Sequence, residues 1–374
     1  MTNWSEMNED ILSLIITKLK NPSHHIQISS VCSSWRSIAL KFRYTLSHPI
    51  PSIMVSLPQH PHQRTFINFL VNPPPFDHSH QYHTIPSSYT CIGSYLGWLV
   101  LTVHDKNSIF LFNPFINKFR SLPKLQKEKV IKAVISCSPS IDSECVVLIL
   151  FSKQGAAFCR VGDVSWTNFD HFFDENECEF SDALFFEGTF YLVDEYGKIY
   201  TCNLDIGLIL EISFQPSDLT KIRHKYYLVE FDGKLCRVFR RFSFNESFYY
   251  ENNVINDDNN VVNNNGYVTR EFRICKMDPG KRNWVGVDSI GEYAMFLGMN
   301  NSICISEVEV GGIKGNRIYF TDDRQRNVKH FGFIWPGKDV GIYDLDDSSF
   351  QMLCETQCEW LKDPCAIWVA PLPW

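Results

Sequence analysis

The sequence has 374 residues, of which 44% are hydrophobic, and its formal net charge at pH 7 is −7. It contains no apolar run near the ~18 residues of a membrane-spanning helix, and a net negative charge does not suit binding to the phosphates of nucleic acids. The polar, acidic N-terminus is unlike a secretory signal, and the 13 cysteines lack the spacing of a disulfide framework. We therefore expect a protein of the cytoplasm and/or nucleus with reduced thiols, and neither a membrane nor a nucleic acid as partner.

Residues 1–44 have the apolar pattern of a small helical unit. A first helical run contains Ile11, Leu12, Ile15, Ile16 and Leu19, and a second contains Val31, Trp35, Ala39 and Phe42. Asn8 is placed to cap the first helix, and Asn21-Pro22 to end it. About 40 residues bury too little surface to be stable without a partner or a staple. The apolar residues must therefore be covered by the rest of the chain or by another protein.

The segments WSEMNEDIL, from Trp4 to Leu12, and VCSSWRS, from Val31 to Ser37, resemble the F-box of plant F-box proteins. The resemblance implies three helices that bind a Skp-type adaptor, which in turn binds the cullin of a ubiquitin ligase. The matching positions are expected to face the adaptor or to form the F-box core: Trp4, Met7, Ile11, Leu12, Ile15, Leu19, Val31, Cys32, Trp35 and Arg36. This chain has Met7-Asn8 where family members usually have Leu-Pro. A helical hairpin packed on its own β domain is the alternative.

From about residue 53 the sequence consists of short strand-like runs separated by turn residues. A repeat runs through this region: a strand ends at a polar residue, a turn follows, and an aromatic or aliphatic residue stands six positions on. The pairs are Asn113 and Phe119, Arg160 and Trp166, Asn203 and Ile209, Asp278 and Trp284, and Asp344 and Phe350. The first three turns are 47 and 43 residues apart, which is close to the ~40–50 residues of one β-propeller blade.

One complete blade can be written from the sequence, with strands at Ala183–Phe186, Phe190–Asp194, Lys198–Leu204 and Leu208–Ser213. We expect a shared closing blade from Ile53–Leu57, Phe66–Val71 and Ala366–Val369, because ring closure removes exposed sheet edges. The predicted fold is therefore mainly β, a propeller of six blades, or alternatively seven, over residues 50–374. The Asn-rich segment 252–265 is expected to be a disordered loop within it.

The strand segments carry a second resemblance. TCIGSYLGWLVL, DALFFEGTFYLVDEYGKIY and KYYLVEFDGKLCRVFRR are similar to the plant domain-of-unknown-function family two-ninety-five, which lies C-terminal to F-boxes. The match covers roughly Ile50–Pro371. It implies a kelch-like propeller and does not indicate what that propeller binds.

Possible metal ligands occur in two groups, His60, His62, His78, His80 and His83, and Cys354, Cys358 and Cys365. Neither group has the spacing of a zinc site, so we expect neither a metal nor a cofactor. Lys124, Lys127, Lys129 and Lys132 are expected to form a solvated basic patch. Asp322 and Asp323 are expected at turns for backbone reasons.

These observations favour a non-catalytic substrate-recognition subunit of an SCF-type cullin ubiquitin ligase, in which the F-box binds a Skp-type adaptor and the propeller binds an unknown target protein. The alternative is a propeller protein-interaction module with a degenerate F-box, outside any ligase, which the Met7-Asn8 departure favours. A third reading, an enzyme of the kelch-like copper oxidase type, would require a convergent Tyr, Cys and His cluster.

Overall fold

The computed structural model describes residues 7–18, 28, 31–41, 51–57, 60–67, 85–103, 108–125, 129–139, 144–152, 155–171, 179–212, 224–244, 267–278, 283–306, 313–323, 339–351, 353 and 366–370. Six β-sheets surround a central channel and form the blades of a propeller, here named A to F in order around the ring. The predicted mainly β fold with six blades is confirmed. The predicted disordered loop at 252–265 lies outside the described residues.

Blade A joins the two ends of the propeller. It contains β1 (Ser52–Leu57), β2 (His60–Ile67), β3 (Ile85–Pro86) and the last strand, β26 (Ile367–Val369). β26 is antiparallel to β1, with Trp368 opposite Ile53. The predicted closing blade is therefore present, but its second strand is His60–Ile67 and not Phe66–Val71. Pairing with β1 sets this register by placing Ile67 opposite Ile53, which the local sequence does not reveal.

Three blades are four-stranded antiparallel sheets. Blade B contains β4 (Tyr89–Tyr95), β5 (Trp98–Val103), β6 (Ser108–Asn113) and β7 (Lys118–Ser121). Blade C contains β8 (Val130–Ile135), β9 (Val146–Phe151), β10 (Ala156–Arg160) and β11 (Thr167–Asn168). Blade E contains β17 (His224–Phe231), β18 (Lys234–Phe244), β19 (Tyr267–Asp278) and β20 (Asn283–Val287).

Blade D matches the blade written from the sequence to within a few residues. Its strands are β13 (Phe180–Phe186), β14 (Thr189–Asp194), β15 (Ile199–Asn203) and β16 (Leu208–Glu211), with β12 (Asp170–His171) added in parallel to β16. The turn from β13 to β14 is Glu187-Gly188, with φ angles of 46° and 79°. Two consecutive positive φ angles give the type I′ turn that fits the twist of a hairpin.

Blade F has an additional hairpin. It contains β21 (Tyr293–Leu297), β22 (Ile303–Ser306), β23 (Arg317–Phe320), β24 (Gly341–Asp344) and β25 (Phe350–Gln351), in the spatial order β22-β21-β23-β24-β25. β22 lies beside β17 of blade E, and β21 runs parallel to β23. This hairpin accounts for part of the long interval between the repeat turns at Asp278 and Asp344, which the sequence left unexplained.

The sequence repeat marks one turn in each of five blades, the turn into β7, β11, β16, β20 and β25 in blades B to F. Each of these is the edge strand of its blade except β16, which β12 flanks. Asn113 Oδ1 accepts hydrogen bonds from the backbone N of Phe115 at 3.0 Å and of Ile116 at 3.3 Å. Four residues after Asn113, Asn203 and Asp344, the backbone has positive φ: 50° at Asn117, 64° at Gly207 and 58° at Ser348. The aromatic or aliphatic residue then opens the outer strand, as in the pairs Phe112–Phe119, Cys202–Ile209, Met277–Trp284 and Tyr343–Phe350.

The propeller core consists of six apolar clusters, each between two neighbouring blades. Trp98 and Trp368 are among the largest fully buried side chains. Position 93 in blade B requires glycine, because a Cβ on Gly93 would lie 2.1 Å from the Ala133 carbonyl oxygen of blade C. The backbones of blades B and C are therefore in direct contact at this position.

The N-terminal unit contains α1 (Glu9–Lys18) and α2 (Ser33–Lys41). Two of the three predicted helices therefore lie among the described residues. Within the described part of the chain, no helix has the length and apolar character to cross a membrane. Among the described residues there are nine cysteines, none of them in a disulfide bond, and five of them are buried, Cys91, Cys145, Cys159, Cys202 and Cys236.

Candidate partner-binding site

Helix α1 begins where the sequence predicted. Asn8 Oδ1 accepts a hydrogen bond from the backbone N of Asp10 at 2.7 Å, and the Asn8 carbonyl accepts one from Leu12 N at 3.1 Å. Glu9 and Asp10 lie in the first turn and Lys18 in the last, so these charges complement the helix dipole. Asn8, one of the two residues that depart from the usual Leu-Pro, is a competent cap.

Helix α2 is capped by Cys32. The backbone N of Trp35 donates to Cys32 Sγ at 3.5 Å, and Arg36 N donates to the Cys32 carbonyl at 3.0 Å. A residue in this position satisfies backbone groups that the first turn of a helix leaves unpaired. Cys32 thus has a local structural role within the helical unit.

The helical unit has a small core of its own. Leu12 and Ile16 from α1 pack against Ile38 and Ala39 from α2, and all four side chains are buried. Met7, Ile28 and Trp35 are partly buried against this cluster. Residues of the propeller are not part of it among the described residues. Trp35 and Ala39 thus lie on the buried face of α2 as predicted, together with Ile38. The predicted Val31 is exposed, and Phe42 lies outside the described residues.

The other side of α1 carries exposed apolar side chains, here called the outer face of α1 and formed by Ile11, Leu14 and Ile15. Their exposed fractions are 53%, 64% and 39%. Val31, just before α2, is 56% exposed. Positions i, i+3 and i+4 are neighbours on a helix surface, so the three residues form one patch. Such a patch on a helical unit is typical of a protein-binding surface.

The structure divides the residues predicted to form the adaptor site into several groups. Ile11, Ile15, Val31 and Arg36 are exposed, Leu12 is in the core, Met7 and Trp35 are partly buried, and Cys32 is a helix cap. Trp4 and Leu19 lie outside the described residues. Leu14 was missed, although its spacing of three from Ile11 could have identified it. Contact of any of these residues with an adaptor stays a prediction.

The propeller offers a second surface, at one end of the channel. β26, β4, β8, β13, β17 and β22 are the innermost strands of the six blades. A cavity of about 410 Å³ opens where these strands end, and we call it the channel-mouth cavity. Each of the six strands, or the residue directly after it, contributes to its wall: Tyr95, Ile135, Phe185, Phe231, Ile305 and Ala370.

Farther along the channel, the side chain of Lys132 in blade C contacts two other blades. Its Nζ forms an ion pair with Asp182 Oδ1 of blade D and donates to the Asn300 carbonyl of blade F at 2.9 Å. Lys132 is 3% exposed. The expectation that it belongs to a solvated basic patch is wrong, whereas Lys124 and Lys129 are exposed as predicted and Lys127 lies outside the described residues. A buried cation needs a paired anion, and Asp182 provides it.

A second ionic cluster joins blades E and F. Arg240, fully buried, lies 3.4 Å from Asp323 Oδ1 and 3.1 Å from Asp339 Oδ2, and Lys225 Nζ lies 2.5 Å from Asp323 Oδ2. Burial raises the pKa of the Asp323 carboxyl, but Lys225 and Arg240 lower it more, so that this pKa lies below its ordinary value. Asp323 thus binds two cations, and the expectation of a purely backbone role at a turn is wrong.

Within the described residues, no group of three or more His, Cys, Asp or Glu side chains is placed to hold a metal ion. Of the residues weighed as metal ligands, the side chain of His62 is described. The side chains of His60, His78, His80 and His83, and those of Cys354, Cys358 and Cys365, lie outside the described part of the structure.

Two family models match the sequence. The F-box domain model matches residues 4–46, and the KIB1-4 beta-propeller model matches residues 70–344. Together they support the order of an F-box followed by a propeller. The label of domain-of-unknown-function family two-ninety-five and the kelch-like character stay predictions.

Curated relatives from Arabidopsis thaliana are similar over nearly their whole length. The F-box protein At5g55150 is 26% identical over 383 residues, covering 95% of this chain and 97% of the relative. The F-box protein At2g26160 is 24% identical over 370 residues, covering 87% and 97%, and F-box protein SKIP23 is 20% identical over 429 residues, covering 100% and 96%. The chain belongs to the KIB1-4 β-propeller family and carries an F-box domain in front of its propeller.

Proposed function

We propose that this protein is the substrate-recognition subunit of an SCF-type cullin ubiquitin ligase, with the outer face of α1 binding a Skp-type adaptor. The observation that carries the proposal is the division of α1 into two sides. Leu12 and Ile16 form the core of the helical unit, which leaves Ile11, Leu14 and Ile15 exposed. Three exposed apolar side chains on a unit with its own core are available to another protein.

The proposed mechanism is positional. The protein holds a target on the propeller and the ligase on the helical unit, so that lysines of the target meet the ubiquitin-conjugating subunit at a high effective concentration. In this proposal the chain itself makes and breaks no bonds. The buried thiols, which form no disulfide among the described residues, support a reducing compartment, the cytoplasm and/or nucleus.

The test is co-purification of the full chain with a Skp-type adaptor. The double variant Ile11→Asp/Ile15→Asp places two charges on the outer face of α1 without touching the buried Leu12 and Ile16. Burying one such apolar side chain is worth about 1.5–3 kcal/mol, so we expect adaptor affinity to fall by more than about tenfold. Val164→Asp/Ile206→Asp is the matched control, because it places the same two charges on exposed apolar side chains of the propeller, 96% and 65% exposed.

Deletion of residues 1–44 provides the second arm and should abolish adaptor binding. Equal binding by the full chain and the deletion variant would end the proposal. A full chain that is soluble and monodisperse but does not bind the adaptor would favour the second function, a propeller interaction module outside any ligase. The Met7-Asn8 departure supports this second function, since Met7 packs on the helical core and Asn8 caps α1, roles that need no adaptor.

A further inference from the structure

The channel-mouth cavity has aromatic walls and an acidic rim. Tyr95, Phe231 and Tyr293 are among the residues that line it. The charged residues of its lining are Glu230 and Asp232, both exposed and both acidic. Aromatic faces and carboxylates both attract cations. The cavity therefore has the electrostatic character of a site for a positively charged group.

The chain itself shows this chemistry at the rim. Lys276 Nζ lies 4.7 Å from the centroid of the Phe231 ring and 3.0 Å from Asp232 Oδ2. Asp232 is thus already paired with a cation. Glu230 on the same rim forms no ion pair within the described residues. One carboxylate consequently remains to bind a cation that comes from outside.

Two buried polar atoms of the residues that line the cavity have no hydrogen-bond partner among the described residues. Asn301, 5% exposed, lines the cavity, and among the described residues its Oδ1 has no hydrogen-bond partner. Ser302 Oγ, also in the lining, is likewise buried without a partner within that part of the structure. A buried polar atom without a partner costs about 1–3 kcal/mol. The side chains of Asn301 and Ser302 make this part of the lining polar, beside the aromatic wall.

We propose that the channel-mouth cavity binds a single cationic side chain of a polypeptide partner, with arginine preferred to lysine. A guanidinium group is planar, stacks on aromatic rings and carries five N–H donors, whereas an ammonium group carries three. The exposed Glu230 supplies a carboxylate that accepts these hydrogen bonds. This inference rests on the proposed function to the extent that the bound polypeptide is the ligase target.

The experiment is a titration of the purified full chain with the peptide acetyl-Gly-Arg-Gly-amide, followed by saturation-transfer NMR and calorimetry. The matched peptides carry lysine, or citrulline, which has the shape of arginine but no charge. We expect the arginine peptide to bind most tightly, the lysine peptide more weakly, and the citrulline peptide weakest. Equal affinity for arginine and citrulline, or no detectable binding of the arginine peptide, would overturn the proposal.

Glu230→Gln tests the site itself, because it removes the rim charge with almost no change of shape. Loss of one partly exposed charge pair should weaken arginine binding about fivefold. Glu187→Gln is the control, since Glu187 is an exposed residue in the corresponding turn of blade D and does not line the cavity. An equal loss in both variants, or none in Glu230→Gln, would contradict the proposal. Adaptor binding is measured separately, so failure of one proposal is distinguishable from failure of the other.

Discussion

Lys132 of blade C donates a hydrogen bond from Nζ to the backbone carbonyl of Asn300 in blade F, across the channel, at 2.9 Å. The same ammonium group forms an ion pair with Asp182 of blade D, which also accepts hydrogen bonds from Ala183 N and Leu228 N at 2.8 and 2.9 Å. One buried side chain thus links three blades directly. The bond to Leu228 N extends the connection to a fourth, blade E.

Replacing Lys132 with Met should destabilise the propeller markedly. The change leaves Asp182 buried without its cation, and breaking a buried ion pair by removing one partner costs about 3–5 kcal/mol. The measurement is the free energy of unfolding in urea. Lys198→Met is the control, because the Lys198–Glu211 pair is 35% and 28% exposed and should contribute less than about 1 kcal/mol. Equal losses in the two variants would contradict the role of Lys132.

The stability of the protein should depend on Asp323 in acid. Its pKa is lower in the folded chain than the ordinary value of 3.8, because of Lys225 and Arg240. A carboxyl with a depressed folded pKa contributes stability above its unfolded pKa and loses that contribution as the pH falls through the folded pKa. Asp323→Asn should therefore be less stable than the wild type at pH 7, and the difference should shrink below about pH 4.

Urea unfolding of both proteins between pH 7 and pH 2.5 measures this difference. Asp205→Asn is the control for loss of an exposed carboxyl group, because Asp205 lies in an exposed turn of blade D. A difference between Asp323→Asn and the wild type that stays constant down to pH 2.5 would exclude Asp323 as a source of acid sensitivity.

Three buried cysteines should resist alkylation in the folded protein. Burial raises the pKa of Cys145, Cys159 and Cys202 to about 12 in each case. Since the thiolate is the reactive form, iodoacetamide at pH 8 should label these residues only after denaturation. Mass spectrometry of peptides from native and denatured samples measures the labelling. Native labelling of Cys202 as fast as that of the half-buried Cys275 would refute the prediction.

The hairpin turn Asp232-Gly233 should tolerate alanine poorly. Gly233 has φ of 63°, and a Cβ there would meet no atom within 4 Å, so strain would come from the backbone alone. Gly233→Ala should cost about 1–2 kcal/mol. Gly286→Ala is the matched control, since Gly286 is also open to a Cβ but does not have a positive φ, and it should be neutral or slightly stabilising. Thermal unfolding of the two variants decides the comparison.

The sequence predicted those parts of the fold that local chemistry determines. The turns after Asn113, Asn203 and Asp344 depend on a side-chain oxygen that accepts nearby backbone N–H groups, and such turn chemistry is readable in a few residues. The same holds for the Asn8 cap of α1. Register and burial in a sheet depend on a partner far away in the chain, which is why the position of β2 was predicted wrongly.

The charged groups of the channel were not predictable in this way. Lys132 stands in the sequence among other lysines, and its partners Asp182 and Asn300 are 50 and 168 residues away. No spacing rule connects these residues, because packing of neighbouring blades brings Lys132 to Asp182 and closure of the ring brings it to Asn300. In the helical unit, helical periodicity identified the apolar residues, but the structure was needed to separate the buried Leu12 from the exposed Ile11 and Ile15.

The pairing of β26 with β1 has a consequence during synthesis. Blade A lacks its innermost strand until residue 369 has left the ribosome, so the earlier blades emerge while the ring is still open. Chains that stop early would expose the edge of β1, and unpaired edges promote aggregation. Nascent chains of this protein are therefore expected to require chaperone protection until β26 has been synthesised.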